Sequence, residues 1–183
     1  MFTDRRSFLR TSVLLGGAAS AGLPVLPQAK RVIPQQGHEL IEQMKWMNGP
    51  ASFKQNGEEL VVRSKPKTDF WRKTYYGYIT DNGHFLHLPV SGDFVFEVRI
   101  NGQYGALYDQ AGLMVRLDPE NWIKCGTEFF DKRRHASVVF TRDFSDWSTM
   151  PDLSETASIW WRALRKKDSI ETHCSLEDRK SVV

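Results

Sequence analysis

The residues with the chemistry of a ligand face are Trp71, Tyr108, Asp109, Arg116, Asn121, Trp122, Lys124, Glu128, Asp146 and Trp147. Indole and phenol rings stack on the C–H faces of sugars. Carboxylate, amide, ammonium and guanidinium groups donate to or accept from the hydroxyls. These types together point to carbohydrate binding. For each tryptophan the alternative is core packing, because Trp is highly buried on average. For Asp109 and Asp146 the alternative is a turn, where the side chain bonds its own backbone.

Hydrolysis asks for more. A retaining glycosidase needs two carboxylates roughly 5–5.5 Å apart. Glu128 could face Asp109 or Asp146 across strands, but no spacing selects either pair, and the single-strand pattern E-x-D-x-x-E is absent. No catalytic residue is assigned. The histidines are scattered, no C-x-x-C or Cys/His cluster is present, and no phosphate-binding loop occurs, so neither metal nor cofactor is expected. Cys125 and Cys174 allow one disulfide or none.

Most of the ligand-type residues fall between Tyr108 and Phe130, and that stretch must position them. Leu113, Val115 and Leu117 alternate with Met114 and Arg116; Ile123, Cys125 and Phe129 alternate with Trp122, Lys124 and Glu128. Asp118-Pro119-Glu120-Asn121 separates the two runs. Period-two alternation around such a turn predicts an antiparallel hairpin with one buried face. The other face, with Trp122 among charges, is either an exposed binding surface or a second core layer edged by ion pairs.

The same period recurs along the chain. Asn56-Gly57 predicts a hairpin turn. Phe94, Phe96, Val98 and Ile100 share one side of a strand, and Val138-Val139-Phe140 reads as buried. Ile159, Trp161 and Ala163 share a side, as do Ile170, Thr172, Cys174 and Leu176. The aromatic stretch from Phe70 to Tyr78 reads as a loop covering a sheet, and Phe144 to Ser148 as an acidic-aromatic loop. Eight to ten short strands without a long helix predict an all-β sandwich or barrel.

At the start, Asp4-Arg5-Arg6-Ser7-Phe8-Leu9-Arg10 resembles a twin-arginine export signal, followed by a mildly apolar Thr11 to Ala21. Cleavage is expected after Ala19-Ser20-Ala21 or Pro27-Gln28-Ala29. Residues 1–29 are read as signal peptide and linker, and residues 38–183 as the domain. The formal charge of +3 comes mostly from this leader; the remainder carries 22 basic and 21 acidic residues, which gives no case for nucleic acid. The protein is expected in the periplasm or outside the cell, touching membrane only during export.

Thr68-Asp69-Phe70-Trp71, Gly92-Asp93-Phe94, Tyr108-Asp109-Gln110-Ala111-Gly112-Leu113-Met114-Val115, Asn121-Trp122-Ile123-Lys124 with Glu128, and Ser145-Asp146-Trp147-Ser148 follow in order. They resemble the regulation-of-enolase family, bacterial and fungal proteins otherwise labelled a domain of unknown function. The resemblance runs from about Trp46 to Ser175. It implies a concanavalin A-like lectin/glucanase jelly roll, a sandwich of two antiparallel sheets, and it carries over no catalytic residue. Members continue beyond the turn at Glu177 to Lys180, so the sandwich is expected to lack its last strands. The expected function is an exported, non-catalytic carbohydrate-binding or interaction module with a glycan or a protein as partner. The alternatives are a glycoside hydrolase and a protein-interaction regulator without a small ligand.

Overall fold

The computed structural model describes residues 11–14 by their backbone, and residues 37–150, 153 and 158–176 in full. The twin-arginine motif, both cleavage sites, the linker and residues 177–183 lie outside them. In chain order the elements are β1 (Thr11–Leu14), α1 (Gly37–Gln43), β2 (Lys45–Met47), β3 (Ser52–Asn56) and β4 (Glu59–Arg63). Then come β5 (Phe70–Arg72), β6 (Ile79–Asp81), β7 (Phe85–His87), β8 (Phe94–Ile100), β9 (Asp109–Arg116) and β10 (Asn121–Phe130). The last are β11 (Arg133–Arg142), β12 (Phe144–Met150), β13 (Ile159–Lys166) and β14 (Ser169–Ser175).

The protein is an all-β sandwich. One four-stranded sheet has the order β1-β8-β13-β14 and the other β12-β11-β10-β9. Three two-stranded ribbons, β2-β7, β3-β4 and β5-β6, complete it, and every pairing is antiparallel. Gly57, at φ +59°, turns β3 into β4. The segment Thr11–Leu14 pairs with β8 at a sheet edge.

The expected central hairpin is β9-β10, with Trp122 opposite Arg116 and Glu128 opposite Gln110. Its turn is held by Asp118 Oδ1, which accepts the Glu120 and Asn121 backbone N–H groups at 2.7 and 2.8 Å. Asn121 also bonds that carboxylate through its side chain, and these bonds hold the Asp118 carboxyl below the usual range. The chain then continues as a meander. Phe144 to Ser148, expected as a loop, belongs to β12, which pairs along its length with β11. Its polar residues suit an edge strand, where one side meets solvent.

Between the sheets, Val98, Ile100, Ile159, Trp161, Ala163 and Cys174 meet Ala111, Leu113 and Cys125, with Leu60, Val62, Leu86 and Ile41 closing the sides. Both cysteines are free thiols in this core, and burial pushes Cys125 up to about 11. Four residues depart from the alternation. Leu117 is exposed in the turn beyond the end of β9, Leu176 is exposed just past the end of β14, and Phe140 and Ile170 are exposed near one end of the sandwich.

Of the two alternatives for the outer face of β9–β12, the part under β5 is a second core layer, which corrects the assignment of Trp71 and Trp122 to a ligand face: Phe70, Trp71, Trp122 and Val139 form a buried cluster, packed by Met47, Phe85 and Met114. Trp122 is 4% exposed, with its ring edge-on to Phe70 at 6.4 Å. The cause is β5, which lies across the sheet and covers these rings. Trp122→Ala should therefore lose about 3–5 kcal/mol of stability by urea denaturation. A variant within 1 kcal/mol of wild type would show that the indole is not packed.

Candidate functional site

Register places the outer-face side chains in rows. One row is Arg116, Trp122, Thr141 and Ser145; the next is Met114, Lys124, Val139 and Trp147. Then come Gly112, Gly126, Ser137 and Thr149, and last Gln110, Glu128 and His135. The first two rows lie largely under the β5 cover. The Arg72 backbone N–H reaches the Ser145 hydroxyl at 2.9 Å, and Lys124 Nζ donates to the Phe70 carbonyl at 2.8 Å and Asp69 at 3.0 Å.

Beyond Lys124 the face opens. Gly112 and Gly126 lie directly opposite each other, so close that a Cβ on either would collide with the facing backbone. Lacking side chains there, the sheet forms a notch of about 10 Å³, walled by Gln110, Lys124, Glu128 and Ser137. That is room for one water-sized group. Trp147 Nε1 donates to Glu128 Oε2 at 2.9 Å and lies 3.1 Å from Ser137 Oγ. Gln110 Nε2 donates to Asp69 at 3.1 Å. Burial pushes the Glu128 carboxyl up, against the hydrogen bonds from Ser137 and Trp147 and the charge of Lys124. Beside it, buried His135 lies 3.2 Å through Nε2 from the Phe130 carbonyl, and its Nδ1 has no partner among the described residues.

An aromatic ledge borders the notch. Trp147 stands edge-on to Tyr108 at 6.3 Å and to Phe130 at 5.3 Å. Tyr108 and Tyr76 share a hydroxyl–hydroxyl bond of 2.9 Å, and Tyr76 stacks on Tyr78 and meets Tyr75 edge-on. The Tyr76 phenol is pushed up to about 12, first by its bond to Tyr108 and then by burial, with Glu128 and Asp69 contributing. Tyr75, Tyr76, Tyr78, Tyr108 and Trp147 are all exposed.

Of the sequence-derived residues, Tyr108, Lys124, Glu128 and Trp147 come together here. The others do not. Trp71 is buried, with its Nε1 donating to the Thr74 carbonyl at 2.8 Å, and Trp122 is core. Arg116 forms a two-pronged pair with Asp81 at 2.7 and 2.9 Å over the Phe70 ring. Asn121 serves the Asp118 turn. Asp109 accepts the Gly105 and Ala106 amides at 2.8 and 2.7 Å. Asp146 projects from the opposite side of β12 to Trp147. Neither Asp109 nor Asp146 shares the outer face with Glu128, so the carboxylate pairs considered for glycoside hydrolysis do not form. The acid near Glu128 is Asp69, which Lys124 neutralises.

Asp69, Tyr76, Gln110 and Ser137 were missed as site residues. For Gln110 and Ser137 a signal was present: period two from Met114 along one run reaches Gln110, and period two from Val139 along the next reaches Ser137, which the register sets opposite Glu128 and Gly126. For Asp69 and Tyr76 none was, because their approach depends on how the cover folds over the sheet.

The model of a family described as "Protein of unknown function (DUF1349)" matches residues 46–183. A Saccharomyces cerevisiae protein named "Regulation of enolase protein 1" is 38% identical over 141 residues, 77% of this chain and 71% of that one. "Uncharacterized protein AN7484" of Emericella nidulans is 28% identical over 116 residues, 60% of this chain and 58% of that one. A solved structure of a functionally unknown protein from Saccharomyces cerevisiae superposes with a TM-score of 0.74 at 38% identity, covering 78% of this chain and 77% of that one.

Two substitutions test the electrostatics of the notch. Glu128 has a folded pKa above its unfolded value of about 4.3. Its stabilisation is therefore full below that pH and lost as pH rises through the folded pKa. Glu128→Gln should melt higher than wild type at pH 7 and no higher below pH 4; a lower Tm at pH 7 would show that the charge is net stabilising. Lys124→Met strands Asp69 and Glu128 and should cost about 3–5 kcal/mol.

Proposed function

We propose that this chain, which belongs to the DUF1349 family of proteins of unknown function, is a non-catalytic module that binds carbohydrate on the outer face of the β9–β12 sheet. The observation that carries this reading is the junction of the notch with the aromatic ledge. The notch has room for one hydroxyl, not for a sugar ring, and is walled by an amide, an ammonium, a carboxylate and an alcohol. The ring would lie on the exposed Trp147 and Tyr108, whose faces are too large and apolar to be satisfied by water alone. One buried hydroxyl with several partners, and a ring held by stacking, is an economical way to read a sugar.

The leader supports export as part of the same proposal. A glycan binder meets its ligand at the cell surface or beyond, and Arg5-Arg6 with Phe8-Leu9 is the pattern of a twin-arginine signal. Folded passengers use that route.

A second reading is a regulator that works through protein contact. The name of the Saccharomyces cerevisiae relative favours it, and the ledge with the exposed Tyr75 would supply its contact surface.

A glycan array on the full chain separates the two. Reproducible hits that fall at least about ten-fold with Trp147→Ala or Tyr108→Ala are expected. Tyr108→Ala should keep its stability within about 1 kcal/mol, because the ring is exposed, whereas Trp147→Ala also removes the indole donor from buried Glu128 and should cost about 1–3 kcal/mol while leaving the protein folded. A folded protein with no hits would sink the glycan reading and favour the protein partner. Replacing both Arg5 and Arg6 with Lys should hold the protein in the cytoplasm, by fractionation; unchanged export would remove the twin-arginine proposal.

A further inference from the structure

A second site opens between the sheets and shares no lining residue with the notch. At the end of the sandwich formed by the β9-β10, β11-β12 and β13-β14 turns, the sheets part around a cavity of about 650 Å³. That is well within the size of small-molecule sites, roughly 300–1,000 Å³. The inward rows of both sheets contribute Val115, Ile123 and Phe140 on one side and Phe94, Phe96 and Ile170 on the other, and the segment 85–90 and the end of the β9–β10 hairpin also line it. Phe140 and Ile170, expected as core, are exposed because they line this opening. Protein interiors are packed as densely as organic crystals, so the described strands leave this apolar space unfilled by themselves.

The mouth carries the opposite character. Alternation puts Arg142 on the same side of β11 as Phe140, and Arg165 on the same side of β13 as Ala163. Both guanidiniums therefore belong to inward rows, one from each sheet, at the same end. Among the described residues neither is in a salt bridge. Arg165 donates through Nε to the Lys167 carbonyl at 3.3 Å. Lys167 also lines the cavity, and Asp168 is the one acid among its described lining residues. Arg116 lines it too, but Asp81 already neutralises it. Arginine on an apolar row needs a planar anion, and a carboxylate fits its fork.

We propose that this cavity binds one long-chain fatty acid, with the hydrocarbon chain between the sheets and the carboxylate between Arg142 and Arg165. The apolar lumen selects the chain, and the basic mouth selects the acid over neutral lipids.

The test uses the full chain, delipidated on a hydrophobic resin and titrated with oleate and with methyl oleate by calorimetry. Oleate should bind saturably at one equivalent, at least about ten-fold more tightly than the ester. The double variant Arg142→Glu with Arg165→Glu should weaken oleate about ten-fold or more and leave the ester within about two-fold. Ile123→Trp, which fills the lumen, should weaken both. The proposal is overturned if a folded protein binds no oleate, or binds acid and ester equally. It is also overturned if several equivalents bind, or if sedimentation shows that a second copy fills the opening.

Discussion

Three cations that leave solvent without leaving their carboxylates fix the β5–β6 cover on the β9–β12 sheet. Lys124 meets Asp69, Arg116 meets Asp81, and Arg72 meets Asp143 and Glu120, each cation with a nearly covered side chain. Two of them reach from the β9–β12 sheet to the ends of the β5–β6 cover, and the third reaches from the cover back to the sheet. Buried charge is costly unless it is paired and hydrogen-bonded. The cover can settle on the sheet in one position, where all three cations find their acids, and Phe70 then lands on Trp122. Apolar contact supplies the driving force, and the ion pairs supply the alignment.

That arrangement explains how the site arises. Cover extends as far as Lys124, whose second bond is to the Phe70 carbonyl. Past it, the Gly112–Gly126 pair removes the side chains that would otherwise fill the face, and Glu128 is left with an indole and an alcohol instead of a direct cation. A carboxylate in that position is held at some cost to the fold. Residues in such surroundings are where chemistry or recognition concentrates.

The strands were legible because period two survives wherever one face is buried. β8, β9, β10, β13 and β14 were all readable from alternation. β12 was not, because Ser145, Asp146 and Ser148 are edge-strand residues with loop-like composition. Trp122 shows the limit from the other direction. Its alternation put it correctly opposite Cys125, but alternation says nothing about what lies on each side. The cover that buries it comes from residues some fifty positions earlier, and the ion pairs that seat the cover are contacts between distant segments. The same reason hid Asp69 and Tyr76 from the site while leaving Tyr108, Lys124, Glu128 and Trp147 visible on one strand system. Arg142 and Arg165 stand beside turns in the sequence, and only the register places them on rows with core residues.

Cys125 and Cys174 sit in one apolar core as thiols, with the Cys125 proton held far more tightly than in water. Thiolate is the species that attacks disulfides and is oxidised, so protonated, covered sulfur is inert. The sandwich thus asks nothing of an oxidase or isomerase while it forms, and its two thiols offer nothing to an oxidant afterwards. The fold is indifferent to redox potential: the same molecule, with the same bonds, can exist on either side of a membrane that separates reducing from oxidising surroundings.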